Sequence, residues 1–500
     1  MKAIVIVADT VRRDYLSIYG NSNVITPNLE RLRARSVRFD NHWSGSLPCM
    51  PARHDMLTGR LNFLERNWGG IEPFDDTLPQ MLRRRGIFSH MCTDHYHYFE
   101  TGAENYAQQF NTWELIRGQE DDPWVSLATP YTAEPPRYGK MSPQYDRNRT
   151  RFRSEADYPS PRTFQAAIDW LDANREASDY LLWVEAFDPH EPFDVPQHYL
   201  DLYGDTYDGP PFMWPEYKPC DLPADALQHI RTRYAALLTM TDAWIGKLLD
   251  KVDELDLWKD TSIVFTTDHG YLFGEHGCMA KNYMPMYNEI NHLPLVVHLP
   301  GDRLAGACVD ALTQNIDLAP TLVDLLAPDG VKPRNKLHGK SWLPLLNGET
   351  ERIRDYALYG YFGKNVNITN GTHTYFRAAV RPDNSPISLY TAMPTTFWHY
   401  LGHEYIADFA RIETGRFLQW TDYPVYKFAG DLIELRDKSQ AFNCLGEHIR
   451  EHLLFDLQHD YGQLRPLADP QLEAAFLALL KRALAEHDAP PEQYARLGLA

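Results

Sequence analysis

Cys49-Met50-Pro51-Ala52-Arg53-His54-Asp55-Met56-Leu57-Thr58-Gly59-Arg60 is the stretch around which this 500-residue chain is organised. Pro51 fits the first turn of a helix, where its missing N–H costs nothing. Cys49 then stands just ahead of that turn, beside unpaired backbone N–H groups and the positive end of the helix dipole. Arg53, four residues on, can point back toward the same end, and Gly59 suits a helix C-terminus. The result is an anion pocket with a cysteine at its mouth. A bare Cys-x-Pro is explained as well by a buried cysteine before a capped helix. The full twelve-residue run is far more specific.

Outward from this stretch, four apolar runs read as buried strands. Ala3-Ile4-Val5-Ile6-Val7-Ala8 ends in Asp9-Thr10. Residues 87–92 lead into Thr93-Asp94-His95-Tyr96-His97. Residues 180–187 lead into Asp188-Pro189-His190-Glu191-Pro192, whose prolines rigidify the loop. Residues 261–267 end in Asp268-His269-Gly270, followed by Lys281. A carboxylate at the end of a buried strand is costly unless paired or metal-bound. In a mostly parallel α/β sheet the carboxyl ends of the strands open on one side, where ligands bind. Asp9, His95, His97, His190, Asp268 and His269 therefore converge on one edge, and Cys49 with its helix N-terminus joins them. Each alone has a plainer reading: a capping Asp, a surface His, a solvated Lys.

Together these segments resemble the type I, formylglycine-dependent sulfatases of the alkaline phosphatase superfamily, including their phosphonate monoester hydrolase branch. The Cys-x-Pro-x-Arg run, the Pro-His-x-Pro loop, Asp-His-Gly and the lysine after it carry the resemblance, over residues 3 to 346. It implies that Cys49 is oxidised to formylglycine by a maturation enzyme that reads the same motif. The aldehyde hydrates to a gem-diol; one hydroxyl attacks sulfur or phosphorus, and the other later loses a proton and expels the ester. It implies that Asp9, Asp268, His269 and the Cys49-derived diol hold a divalent cation. Carboxylates favour a hard ion such as calcium, magnesium or manganese. An imidazole tilts the choice toward manganese or another transition metal, whereas the family more often holds calcium. Arg53 would stabilise the formylglycine, His190 and Lys281 would contact the ester and protonate its leaving oxygen, and His97 would help expel sulfate. Two positions depart from the common pattern. Thr10 stands where a second Asp is usual, as in the phosphonate hydrolase branch, and His95 replaces a lysine and is expected to contact substrate.

The fold class implied is α/β: a large, mostly parallel sheet sandwiched by helices, with a smaller C-terminal α+β domain. Length alone favours two domains, divided as 1–350 and 351–500. Helices are expected over 76–85, 161–175 and 222–257, the last with one break. Residues 99–160 form a long aperiodic insertion, in which Arg147, Arg149, Arg151 and Arg153 alternate and share one face if the chain is extended. Beyond 350, strands at 356–362, 373–380 and 452–457 and a helix over 471–486 suggest antiparallel structure with a helix on it. The stretch 385–445, with Tyr390, Phe397, Trp398, Tyr400 and Trp420, is open between pocket wall and subunit contact, and homo-oligomer formation is left open with it.

Composition sets the remaining bounds. Apolar residues at 44% and charged residues at 23% are those of a water-soluble globular chain. A net charge of −19 argues against nucleic-acid partners. Cysteines 49, 92, 220, 278, 308 and 444 show neither disulfide nor zinc spacing and are expected to be mostly reduced. No run is long enough to span a bilayer, the apolar start is too short for a signal peptide, and the cytoplasm is the expected location. The sequons at Asn148, Asn367 and Asn370 are then chance matches. The leading functional reading is a sulfuric ester hydrolase acting on a small-molecule or saccharide sulfate ester. The alternative is a phosphonate or phosphate diester hydrolase with the same nucleophile. An inactive binding protein and a thiol enzyme using unmodified Cys49 complete the set.

Overall fold

The computed structural model describes residues 1–103, 105–129, 137–394, 408–430, 432 and 451–500. Its centre is strand Lys2–Ala8, buried along its whole length. Parallel neighbours Tyr180–Ala186 and Thr261–Thr266 flank it, and helices cover both faces. Its side chains alternate between two cores, as the pleat requires. Ile4, Ile6 and Ala8 meet Ile230, Tyr234 and Leu237 of the long helix Ala224–Glu254. Ala3, Val5 and Val7 meet Met50 and Met56 of helix Cys49–Thr58 and Leu322 of helix Leu318–Leu326. An unbroken apolar strand is the physical consequence of burial on both faces.

The sheet has nine strands. Its order is Cys308–Val309, Val37–Trp43, His292–His298, Thr261–Thr266, Lys2–Ala8, Tyr180–Ala186, Phe88–Thr93 and Thr112–Leu115, with Thr313–Gln314 also paired to Val37–Trp43. From Thr261–Thr266 to Thr112–Leu115 every pairing is parallel. His292–His298 runs antiparallel to both its neighbours. The registers Ala8↔Ala186 and Val7↔Thr266 bring the central strands to nearly the same level. The residues just beyond them therefore emerge side by side.

Sequence expectation and structure differ in three places. The helix expected over 222–257 runs without a break as Ala224–Glu254. Its one glycine, Gly246, is not a hinge: Asn28 approaches so closely that an added Cβ would lie 2.4 Å from its side chain. Arg147 and Arg149 are not extended either. They lie in the last turn of helix Pro143–Arg149, at whose start the Ser142 hydroxyl accepts from Tyr145 N at 3.0 Å. Arg149 is turned onto Asp194 at 2.6 Å. A Ser-Pro helix start outweighed the alternation.

The third difference concerns a strand that sequence reading missed. Ser46–Leu47 pairs in parallel with Ala357–Tyr361, at the edge of a sheet completed by Val366–Thr369, His373–Arg377 and Leu453–Asp456. The chain entering the Cys49 helix is therefore clamped by residues more than 300 positions away. Buried Asp55 completes the clamp. It accepts from Ser46 N at 2.5 Å, Ser46 Oγ at 2.8 Å and Asn62 N at 2.9 Å. Burial pushes the Asp55 carboxyl up to about 8 in spite of these donors. Helix Pro470–Glu486, capped by Asp469, lays Phe476, Leu480 and Leu484 on Ile368, Tyr375 and Leu454.

Within 385–445, strands Ser388–Thr391, Glu413–Gly415 and Val425–Ala429 form a small antiparallel sheet. Trp420 Nε1 donates to Glu65 at 2.6 Å and the Tyr390 hydroxyl to Glu492 at 2.8 Å, so both are fastened to the body of the protein. Phe397, Trp398, Tyr400 and Cys444 lie outside the described residues. The other five cysteines are free. Among the described residues no helix is long and apolar enough to cross a membrane.

Candidate active site

Helix Cys49–Thr58 starts at the cysteine itself and ends at Gly59, whose φ is +67°. Pro51 is its third residue. The Cys49 Sγ is 3.2 Å from His269 Nε2 and 3.8 Å from Lys281 Nζ. His269 Nδ1 donates to the Gly270 carbonyl at 3.0 Å, which leaves the lone pair on Nε2, facing the sulfur. Burial, ahead of the Asp268 charge that opposes it, holds His269 down at about 4, so the ring is neutral. Gly270 is required by a close approach: a Cβ there would lie 1.9 Å from the Glu289 carbonyl oxygen. Burial also pushes the Cys49 thiol well up, although Lys281 draws it down. The unmodified thiol is therefore protonated and a poor nucleophile.

Behind the cysteine, Arg53 turns away from the pocket. Its Nη2 donates to Asp9 Oδ2 at 2.7 Å, Nη1 to Asp268 Oδ2 at 2.6 Å and to the Cys49 carbonyl at 3.0 Å, and Nε to Glu185 Oε1 at 2.5 Å. All four residues are fully buried or nearly so. Arg53 reaches the cysteine through that residue's backbone carbonyl and the aspartates beside it. Arg53 holds the two strand-end aspartates in place, because three buried carboxylates need a cation between them. Glu185 was overlooked in the sequence. Its signal is a carboxylate inside an otherwise apolar strand.

Thr10 occupies a left-handed backbone conformation, φ +63°, unusual for a β-branched residue. The strain turns its N–H to Asp268 Oδ1 at 3.1 Å, while its hydroxyl donates to Asp9 Oδ1 at 2.5 Å and accepts from Lys281 Nζ at 3.1 Å. Burial opposes the Lys281 charge, but Cys49, Glu191, Asp9 and Asp268 together raise it, and the ammonium is retained.

His190 Nδ1 donates to the Glu191 carbonyl at 2.6 Å. Burial first, and Lys281 second, hold it well below the ordinary imidazole range, so this ring is neutral. His97 is the opposite. Burial disfavours its charge, but Glu100 at 2.6 Å and Glu120 at 3.3 Å raise it to about 9. His97 lines the cavity above Cys49, where it offers positive charge. The expectation for His95 is corrected. It does not line the cavity; it lies behind Asp9, with Nε2 3.4 Å from Asp9 Oδ2 and its ring 5.0 Å from that of Phe187. A histidine with no solvent contact cannot serve there as the lysine it replaces.

A cavity of about 380 Å³ opens above Cys49. His97, His190 and Lys281 line it with Trp68, Trp214 and Tyr217, and Trp68 packs edge-on to His97 with ring centroids 5.3 Å apart. Glu120 reaches it from the aromatic-rich insertion. No periodicity marked Glu120, and only the fold brings it there. Asp9, Cys49, Asp268 and His269 place their ligand atoms within 4.8 Å of one another, a donor set suited to a divalent cation.

A pocket that sets Lys281, His97 and His190 beside Cys49 at the carboxyl edge of a mixed sheet fits a broad class, α/β-fold enzymes acting on anionic substrates. Within it the chain belongs to the sulfatase family, whose profile, described as Sulfatase, matches residues 2–328. It is a sulfuric ester hydrolase. The choline-sulfatase of Rhizobium meliloti is 25% identical over 396 residues, covering 71% of this chain and 74% of that protein. Human iduronate 2-sulfatase is also 25% identical, over 60% of each chain. The crystal structure of the phosphonate monoester hydrolase of Agrobacterium radiobacter superimposes with a TM-score of 0.66 over 98% of this chain and 96% of that one, at 20% identity. That likeness is one of fold.

Proposed function

We propose that this sulfatase works through a formylglycine made from Cys49, beside one divalent cation held by Asp9, Asp268, His269 and the modified residue. The observation that carries the reading is the setting of Sγ: 3.2 Å from an imidazole lone pair, 3.8 Å from an ammonium, and within 4.8 Å of two carboxylates. A neutral thiol gains nothing there, whereas an aldehyde hydrate gains metal, cation and hydrogen-bond contacts. The donor set fits a cation, because His269 keeps Nε2 free of a proton and Arg53 draws chiefly on one oxygen of each aspartate. Calcium and manganese are the two candidates. Such an ion lowers the pKa of a bound hydroxyl and offsets the charge of the ester oxygens. Lys281 and the His97 imidazolium bind the sulfate, and neutral His190 exchanges a proton with the leaving oxygen. Helix Cys49–Thr58 is buried throughout, so the formylglycine-generating enzyme reads the stretch before folding is complete.

The substrate is a sulfate ester of a small alcohol or a saccharide unit, held against Trp68 and Trp214. A 380 Å³ cavity accommodates a group of that size. Thr10 supports the second reading, a phosphonate or phosphate diester hydrolase, because it withholds a negative charge from the pocket. The deciding experiment compares kcat/KM for a sulfate ester and a phosphonate ester with matched leaving groups, using protein shown by peptide mass spectrometry to carry the aldehyde at position 49. The sulfate ester is expected to be faster. A phosphonate ester faster by more than about tenfold, roughly 1.4 kcal/mol of transition-state preference, sinks the sulfatase assignment.

The metal is tested separately. Asp268→Asn should leave the protein folded by circular dichroism but deplete its metal content. Its activity should fall by more than the roughly 10–100-fold typical of residues behind a ligand. Full metal content in that variant rejects Asp268 as a ligand.

A further inference from the structure

We propose that Glu120 is a positioning residue of this site: its carboxylate reaches between His97 and His190, orienting the His97 ring and holding it as an imidazolium. The proposal rests on reading the cavity as the sulfate site. Glu120 Oε2 is 3.3 Å from His97 Nε2, and Oε1 is 3.5 Å from His190 Nδ1. The Tyr96 hydroxyl donates to Oε2 at 3.3 Å. The Glu120 backbone has φ +39°, a strained conformation for a side chain with a Cβ. Its neighbours hold it there. Gln119 Nε2 donates to Asp94 at 2.8 Å and Asp188 at 3.0 Å, both just past strand ends. Asp122 accepts from Gly118 N at 2.8 Å and from Arg117 Nε at 2.8 Å. The loop is thus fastened on both sides of the one residue that it turns into the cavity.

A carboxylate at this position fixes the charge of His97. His97 Nδ1 already donates to Glu100 at 2.6 Å. A second acceptor facing Nε2 engages both ring N–H groups, which only an imidazolium possesses. His190 meets Glu120 through Nδ1, the nitrogen whose proton is committed to the Glu191 carbonyl. Its Nε2 is left as the acceptor. Glu120 therefore supports the charged histidine that attracts the anion, while the Glu191 carbonyl fixes the tautomer of the neutral one able to exchange a proton.

Glu120, His190 and Glu191 also place donor atoms within 4.8 Å of one another, as a metal site would. The proton on His190 Nδ1 and the nearby Lys281 ammonium assign the cluster to proton placement instead. The titratable and charged groups facing His97 are Tyr96, His95 and Glu100 from its own turn, Glu120 from the insertion and His190 from the Pro-His loop. Trp68 and Phe187 close the remaining sides.

The test is Glu120→Gln, with Glu120→Asp as the conservative control. Two quantities are followed: the His97 titration midpoint by NMR, and the pH profile of kcat/KM on a sulfate ester. In Glu120→Gln the midpoint and the basic limb of the profile should both move down by about one pH unit or more, and kcat/KM at neutral pH should fall about tenfold. Glu120→Asp should restore both positions, and metal content should be unchanged. A midpoint equal to that of the parent overturns the proposal; so does a shifted midpoint with an unshifted limb, or a parallel loss of metal. Should Glu120→Gln not fold, Glu100→Gln leaves Glu120 as the remaining carboxylate partner. The midpoint should then stay above the ordinary imidazole value of about 6.5, and an ordinary midpoint overturns the assignment. Absence of sulfate-ester turnover in fully modified parent protein sinks the functional reading, a result independent of the histidine titration.

Discussion

Cys49→Ala is expected to abolish turnover and leave the fold intact. The side chain is 4% exposed and stands first in a helix that Met50, Met56 and Leu57 also anchor in the core. Losing one buried sulfur costs about 1 kcal/mol of packing, small beside the stability of a chain of this size. The chemical loss is of another order. Removal of a nucleophile that acts with its neighbours as a unit lowers kcat by roughly 10⁴-fold or more. Cys49→Ser is the sharper comparison, because it restores a hydroxyl at the same position. Unless the maturation enzyme also accepts serine, it should stay as inactive as alanine, since a simple alkoxide lacks the second hydroxyl of the hydrate. Circular dichroism and thermal unfolding check the fold, and initial rates on a sulfate ester check the chemistry. Activity within tenfold of the parent in Cys49→Ala would falsify the nucleophile assignment.

Arg53→Met is expected to have the largest effect on stability. The guanidinium is fully buried and bonded to Asp9, Asp268 and Glu185. Removing one partner of a buried charge cluster typically costs 3–5 kcal/mol, roughly, because the remaining charges are left uncompensated. Unfolding should occur at a temperature lower by several degrees, measured with a chelator present so that no bound cation replaces the lost charge. The pH dependence should change sign as well. In the parent, burial tends to raise Asp9, but the permanent charge of Arg53 leads the groups that draw its pKa well below the ordinary 3.8. Its contribution is therefore present above about pH 4 and lost as pH falls through the depressed value. Without Arg53, burial dominates and the folded protein binds protons more readily than the unfolded chain. Stability should then fall as pH rises toward neutrality. Arg53→Lys should be intermediate, since one ammonium cannot match a planar fork addressing three carboxylates. An unchanged unfolding temperature in Arg53→Met would show that the cluster is neutralised in some other way.

The buried strands, their helices and the strand-end positions were legible along the chain because each rests on local physics. Lys2–Ala8 is apolar throughout because it is buried on both faces, and no long-range information is needed to read it. Asp9, His190 and Asp268 were visible because polar groups immediately after such runs are costly anywhere except at a site. Helix Cys49–Thr58 and its Gly59 end were readable from proline and glycine. What could not be read is what depends on register and on contacts between distant segments. Ser46–Leu47 is too short to show a period, and it is a strand only because Ala357–Tyr361 lies beside it. Glu185 and Arg53 are 132 positions apart, and their pairing fixes the guanidinium that also holds Asp9 and Asp268. The charge state of His97 follows from Glu100 and Glu120 at its two ring nitrogens, and that of His190 from burial and the Lys281 ammonium. Nothing in the residue order sets those distances. Strand identity comes from local hydrophobic pattern, whereas ionisation and hydrogen bonding are settled by the few ångströms between side chains, and only the folded chain determines those.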